Sequence, residues 1–225
     1  MQNITLIIPA KNEEECLPST LDEIRSFKIK KIIVVNKLNR IILNIAKKYN
    51  CKIIKQSKSG YGNAIIEGLN SCKTEYACIF NADGSFDPKD LRVMQKKLKM
   101  GFSFVFASRY LKGGGSDDDT TITYIGNKIF TLIGNIFFNL NLSDILYTFI
   151  IGKTLEFKKL DLKFNDFGLC VEIPIKIKKN KLKYISIPSH ERPRTAGIKK
   201  VNELKDGFLI LISLVKLYLK NVKIK

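Results

Sequence analysis

The oxygen-bearing side chains best placed for chemistry lie at Asn81-Ala82-Asp83-Gly84-Ser85. An apolar run, Tyr76 to Phe80, precedes them and predicts a buried strand. A helix start follows: Asp87 is a good N-cap, Pro88 suits the first helical position, and Asp90 falls where a carboxylate can reach back to the cap. Leu91, Met94 and Leu98 give that helix an inward face. Asp83 is therefore expected just past the carboxyl end of a strand, where open α/β sheets bind their ligands. A carboxylate there, with Ser85 beside it, suits a hard divalent cation that also holds phosphate oxygens. The same residues also suit a plain strand-to-helix turn, and the motif alone leaves both readings open.

Three other groups could take part. Ser59-Gly60-Tyr61-Gly62-Asn63 leads into a helix around Ala64 to Leu69 and could cradle phosphate with backbone N–H groups. Two glycines in a tight turn are the commoner explanation of such a stretch. Gly113-Gly114-Gly115-Ser116-Asp117-Asp118-Asp119 reads as a flexible acidic connector whose glycines could let it close over a ligand. Arg109, Arg192 and Arg194 are half of the six arginines in a chain with 33 lysines. An arginine in such a chain marks a place where the planar fork matters, either for an anionic ligand or for carboxylates such as Glu191 or Asp166. His190, the only histidine, suits a structural role beside a basic loop.

The elements that must position these groups alternate. Ile4–Ile8, Lys31–Val35, Lys52–Lys55, Tyr76–Phe80 and Phe104–Ala107 read as strands. Helices follow Glu13-Glu14-Glu15, span Arg40–Tyr49, surround Ala64–Leu69 and begin at Asp87. This pattern predicts a mostly parallel sheet flanked by helices. Beyond Arg109, Ile122–Leu142 is amphipathic, Val171–Lys179 reads as a helix, Leu182–Ile187 as a strand, and Ser189–Lys200 as a basic loop. Val201–Lys220 reads as a C-terminal amphipathic helix with its apolar core at Phe208–Val215. One domain is expected over 1–225, with a nucleotide-side half at 1–110 and an acceptor-side half at 111–225.

Composition bounds the rest. The chain is 45% hydrophobic with a net charge of +18, so it is not a disordered chain, and its lysine surplus reads either as a codon-bias effect or as affinity for anionic surfaces such as phosphates, nucleic acid or anionic lipid. No nucleic-acid motif or basic run with interleaved aromatics stands out. Five cysteines with no C-x-x-C spacing argue against a disulfide framework or zinc site and for a reducing compartment. The N-terminus lacks the basic and apolar regions of a signal peptide, and no uncharged apolar run reaches the roughly 18 residues of a spanning helix.

Several motifs in order carry a resemblance. Ile7-Ile8-Pro9-Ala10-Lys11-Asn12-Glu13-Glu14 looks like the opening of inverting GT-A glycosyltransferases of the dolichyl- and polyprenyl-phosphate sugar synthase type. Lys58-Ser59-Gly60-Tyr61-Gly62 resembles that family's nucleotide-side loop. Asn81-Ala82-Asp83-Gly84 with Asp87-Pro88 resembles its D-x-D motif, and Ser108-Arg109-Tyr110 the segment after the fifth strand. Arg192-Pro193-Arg194 and Asp206-Gly207 resemble its acceptor-side loop and last helix. The match covers nearly the whole chain.

The resemblance implies a Rossmann-like GT-A fold and a metal-dependent hexosyltransferase of cell-envelope glycan synthesis. Pro9, Ala10, Lys11 and Glu13 would line the nucleobase and ribose pocket. Asn12, Asn36, Gly60, Tyr61, Gly62, Asn81 and Ala82 would complete the nucleotide-sugar site. Asp83, with Ser85, would hold Mg²⁺ or Mn²⁺, and Asp83 and Arg109 would be catalytic. Arg109, Asp144, Arg192, Arg194 and Lys199 would bind the acceptor, a polyprenyl phosphate or other lipid-linked glycan precursor, with Arg109 and the Arg192/Arg194 loop clamping its phosphate. The implied site of action is peripheral, on an anionic membrane at the cytoplasmic face, without nucleic acid.

The sequence departs from the family at Asn81, where an amide replaces the first carboxylate of D-x-D, and at Asn36-Lys37-Leu38-Asn39, where members carry Asp and a Gly-Ser turn. Around Asp144 only that residue and Phe149 match, and the membrane helices that follow the domain in some members are not found in these residues. A protein that keeps the fold and binds without turnover is the second reading.

Overall fold

The strand β1 (Ile4–Pro9) lies in the interior of a seven-stranded sheet, and its residues alternate between two cores. Ile4, Leu6 and Ile8 face one, and Ile7 faces the other. A strand buried on both sides must be apolar throughout, which is why it reads as a continuous run. The computed structural model describes residues 3–196 and 203–222, with side chains up to 220. Lys199 lies outside the described residues.

The remaining strands are β2 (Lys30–Val35), β3 (Lys52–Lys55), β4 (Tyr76–Ile79), β5 (Phe104–Ser108), β6 (Gly115–Ser116), β7 (Ile150–Lys153), β8 (Tyr184–Pro188) and β9 (His190–Glu191). The large sheet runs β3-β2-β1-β4-β7-β5-β8. All pairings in it are parallel except those of β7, which runs antiparallel to both β4 and β5. Chain order reverses between the neighbouring strands β1 and β4, which opens a crevice at their carboxyl ends. Strand β7 was not anticipated: Ile150-Ile151-Gly152-Lys153 is short and lacks flanking turn signals. Tertiary context makes it a strand, because Ile151 fills the gap between Cys78 and Val105.

Helices α1 (Leu17–Glu23), α2 (Arg40–Lys48) and α4 (Asp90–Lys99) cover one face of the sheet. On the other lie α3 (Tyr61–Ser71), α5 (Thr121–Phe138), α6 (Thr154–Lys159), α7 (Leu169–Lys179) and α8 (Glu203–Val222). Two starts differ from expectation. Helix α1 opens at Leu17, so Glu13, Glu14 and Glu15 precede its first turn, and Glu13 turns inward instead. Asp87 accepts the Lys89 N–H at 2.9 Å, which caps the turn before α4. Asp90 does not complete that box: its Oδ2 is buried without a hydrogen-bond partner, and burial pushes its carboxyl up.

The acidic Gly113–Asp119 stretch is not a free flap. Gly115–Ser116 pairs with His190–Glu191, forming a two-stranded ribbon. Gly114 lies so close to its neighbours that a Cβ would stand 2.6 Å from the Ser108 carbonyl oxygen. Such tight backbone approach fixes the loop in place.

Candidate active site

The turn after β4 rests on an aromatic platform. Phe86 is fully buried, stacks on Phe149 at 4.6 Å between centroids, and meets Phe80 edge-on at 5.7 Å. Each such pair adds about 0.5–1.5 kcal/mol beyond its buried area. This platform supports 81–86, and because Phe149 is distant in sequence from Phe80 and Phe86, only the fold reveals it.

On that turn, Asp83 Oδ1 accepts the Ser85 backbone N–H (3.1 Å) and hydroxyl (2.7 Å). Asn81 Nδ2 donates to the Ser85 hydroxyl at 3.3 Å. Asp83 Oδ2 lies 3.5 Å from the Arg194 guanidinium, which also holds Glu13. Three oxygen-bearing side chains thus meet at the carboxyl end of β4. They face a cavity of about 660 Å³ above the sheet.

Of the residues expected to bind the nucleotide sugar, Pro9, Ala10, Lys11, Asn12 and Glu13 line this cavity together with Gly60, Tyr61, Asn81, Ala82 and Asp83. Tyr61 stacks on Phe167 at 4.9 Å and hydrogen-bonds the Thr148 hydroxyl at 2.8 Å. Asn36 and Gly62 are not part of the lining. Gly62 is buried against the chain at 164–166, where a Cβ would stand 2.2 Å from the Phe164 carbonyl oxygen. The first N–H groups of α3 meet that segment too, with Asn63 N donating to Asn165 O at 3.2 Å. Both glycines therefore serve close packing of two backbone segments, and the Asn63 N–H is already engaged there, while Gly60 also lines the cavity. Gly62→Ala should destabilise the fold by about 1–3 kcal/mol through overpacking; chemical denaturation will measure it, and an unchanged midpoint would contradict the packing role.

The acceptor-side residues are arranged differently from expectation. Arg109 is buried and receives three carboxylates: Asp144 at 2.7 Å, Glu191 at 3.0 Å and Asp119 at 3.3 Å. Burial alone would lower its pKa, but Asp144 and Glu191 raise it well above the ordinary value. Asp144 has no exposed side-chain surface, and both its oxygens face this one guanidinium. Arg109 touches the cavity, whereas Asp144 does not. Arg192 points elsewhere, to Glu23 at 2.7 Å and to the carbonyls of Gly84 and Phe86. A clamp between Arg109 and Arg192 is thus not assembled, because carboxylates and carbonyls already engage both forks. Asp119, read from sequence as part of a flexible connector, belongs to the cage and also accepts the Tyr110 hydroxyl at 2.6 Å.

Sequence reading missed the far wall. Helices α5 and α8 flank an apolar slot formed by Ile122, Gly126, Phe130, Leu204, Gly207 and Ile210. A Cβ on Gly126 would meet nothing within 4 Å, and one on Gly207 only the Phe130 ring at 3.9 Å. The amphipathic periodicity signalled the two helices, not their meeting. Outside the slot both helices expose large apolar side chains, among them Ile129, Leu132 and Ile136 on α5 and Phe208 and Leu211 on α8. No helix among the described residues is long and apolar enough to cross a membrane.

Known proteins share this architecture. A crystal structure of glucosyl-3-phosphoglycerate synthase from Mycobacterium tuberculosis, in complex with Mn²⁺, UDP and phosphoglyceric acid, superposes with a TM-score of 0.75. It is 14% identical, over 96% of this chain and 78% of that one. The likeness establishes the GT-A fold. In sequence, an uncharacterized glycosyltransferase of Mycobacterium tuberculosis is 28% identical over 106 residues, 47% of this chain and 48% of the relative. The match thus spans about half the length of the mycobacterial relatives. A dolichyl-phosphate beta-glucosyltransferase of Trichomonas vaginalis is 31% identical over 43% of this chain and 35% of its own length. An uncharacterized protein of Methanocaldococcus jannaschii is 26% identical over 94% of this chain and 90% of its own. The family model for glycosyl transferase family 2 matches residues 5–160, which include most of β1, the Asp83 turn and Arg109 with Asp119 and Asp144. With that match over more than half its length, the chain belongs to glycosyl transferase family 2.

Proposed function

We propose that this protein transfers a sugar from a nucleoside-diphosphate sugar to a lipid-linked acceptor, a polyprenyl phosphate or a glycan precursor carried on a lipid, at an anionic membrane surface on the cytoplasmic side. One observation carries the reading: a single cavity joins the Asp83, Asn81 and Ser85 oxygens at one end to the apolar slot between α5 and α8 at the other. A polar, charged donor suits the first end and a hydrocarbon chain the second.

The donor set fits a hard cation. A carboxylate, an amide carbonyl and a hydroxyl are all oxygen ligands of the kind Mg²⁺ and Mn²⁺ take. Among the described residues no cluster of three or more His, Cys, Asp or Glu could hold a metal by itself, so the donor's phosphates must supply further ligands. Mg²⁺ or Mn²⁺ held by Asp83 with Asn81 and Ser85 would neutralise the charge of the departing nucleoside diphosphate. The chain positions the donor between the β1 exit, residues 9–13, and the Tyr61 ring. Thr148 fixes that ring through its hydroxyl, and Phe167 supports it from behind. Because Arg109 is already matched by carboxylates, the slot contributes more to acceptor recognition than a phosphate clamp does. The decisive experiment incubates the purified protein with labelled UDP- and GDP-sugars, Mn²⁺ and lipid acceptors, and follows label into the lipid phase. Binding of the donor without transfer would leave a sugar-nucleotide-binding protein instead.

The outer faces of α5 and α8 support the membrane placement, with exposed Lys128, Lys205, Lys216 and Lys220 set among the apolar residues. Apolar side chains enter the interface while the basic groups and the overall +18 charge attract anionic headgroups. Co-sedimentation with vesicles should require anionic lipid and be reversed by high salt. Equal binding to neutral vesicles, or none to either, would refute this placement.

A further inference from the structure

The arginine nearest Asp83 faces the donor side, a placement with consequences for how a metal enters. We propose that Arg194 is a latch on the metal position: in the donor-free protein its guanidinium closes the open side of Asp83, and a divalent cation reaches Asp83 only together with a nucleoside diphosphate, whose oxygens take Arg194 over. The inference rests on the nucleotide-sugar reading of the cavity.

Both Asp83 oxygens are engaged. Oδ1 accepts from the Ser85 N–H and hydroxyl, and Oδ2 faces Arg194 Nη1 at 3.5 Å. The same guanidinium holds both Glu13 oxygens through Nη2, at 3.1 and 3.2 Å, and the Ala196 carbonyl through Nε at 3.0 Å. It thus stands between the β1 exit and the β4 exit, inside the cavity.

The backbone beneath it is pinned to the Asp83 turn. Thr195 N donates to Asp83 O, and Arg192 N to Ser85 O, each at 2.9 Å. Gly84 lets Thr195 pack directly on the turn, since a Cβ there would stand 2.7 Å from the threonine methyl. Arg192 adds its own bonds to Gly84 and Phe86. These bonds tie the backbone at Arg192 and Thr195 to the turn, so uncovering Asp83 calls for movement of the Arg194 side chain. Burial would lower its pKa, yet Asp83 and Glu13 raise it, so it is a charged group held by carboxylates.

Asn81 makes this latch effective. Asp83 carries a single negative charge and the amide adds none, while the Arg194 guanidinium that lies against it is shared with Glu13. A lone divalent cation arriving at Asp83 therefore meets a guanidinium a few ångströms away, and like charges repel. A diphosphate reverses the balance, because it brings negative charge and oxygen pairs that match the arginine fork. Metal and nucleotide then favour each other's binding, and the coupling is reciprocal.

The test measures Mn²⁺ binding by electron paramagnetic resonance, with and without UDP, in the wild type, Arg194→Gln, Arg194→Lys and Asp83→Ala. UDP should tighten Mn²⁺ binding by more than tenfold in the wild type. Arg194→Gln should strengthen Mn²⁺ binding without UDP and weaken UDP binding, so the coupling shrinks several-fold. Arg194→Lys should keep weak metal binding without UDP, because the charge remains, while UDP binding falls. Asp83→Ala should lose Mn²⁺ in both states. Thermal unfolding of each variant establishes that it is folded, and Arg194→Lys serves if the glutamine variant is not. Equal Mn²⁺ affinity with and without UDP in the wild type would overturn the latch, as would an Arg194→Gln protein that binds UDP and metal like the wild type. A wild type that binds no nucleotide with any metal would overturn the nucleotide-sugar reading itself, and the latch with it.

Discussion

Asp83→Ala should abolish metal-dependent binding of a nucleoside diphosphate, the largest functional loss expected from any single substitution in this protein. Asp83 is the one carboxylate on the turn after β4, because position 81 is an amide. Changes to outer-shell partners of a metal cost roughly 10–100-fold in affinity, so loss of the only charged ligand should cost more than about 100-fold. The turn itself should survive, since Phe86 and Phe149 anchor it independently of the carboxylate. Asn81→Asp should leave metal-dependent binding intact or strengthen it by restoring a second charge. Calorimetric titration with UDP, with and without Mn²⁺, checks both variants. If Asp83→Ala binds UDP with unchanged metal dependence, Asp83 is not the ligand.

Arg109→Ala should produce the largest loss of stability. Its guanidinium is 8% exposed and holds Asp144, Glu191 and Asp119 together. Without it, three carboxylates remain near one another with no cation between them. Breaking a buried pair by removing one partner costs about 3–5 kcal/mol, which for a domain of this size is a fall in Tm of roughly 6–20 °C. Arg109→Lys keeps the charge but cannot reach three carboxylates with a planar fork, so an intermediate fall is expected. Differential scanning calorimetry measures both. A variant with unchanged Tm but a raised KM for the lipid acceptor would instead make Arg109 an acceptor ligand.

The parallel half of the sheet was legible because its strands are buried on both faces and their apolar runs have no other use. The Asp83 turn was legible because a strand exit, an Asp-Gly pair and an Asp-Pro helix start are local signals. The lining at Pro9–Glu13 was carried by its likeness to family motifs in the same order. Strand β7 was hidden: four residues gain strand geometry only from Cys78 on one side and Val105 on the other. Partner choice among charges was hidden as well. Sequence showed that Arg109, Arg192 and Arg194 were unusual in a lysine-rich chain, but their carboxylate partners lie 10 to 181 residues away. Gly60 and Gly62 were visible as glycines, yet whether they cradle a phosphate or admit a neighbouring backbone depends on the chain at 164–166.

By itself the sequence determined the alternation of strands and helices, the position of Asp83 at a strand end and the amphipathic character of the last helix. Each follows from periodicity or from contacts within a few residues. Only the tertiary structure decided that Arg109 is caged, that Arg194 faces Asp83 and Glu13, and that α5 and α8 enclose an apolar slot. Those outcomes depend on which distant charges and surfaces meet when the sheet closes, and no local pattern encodes that meeting.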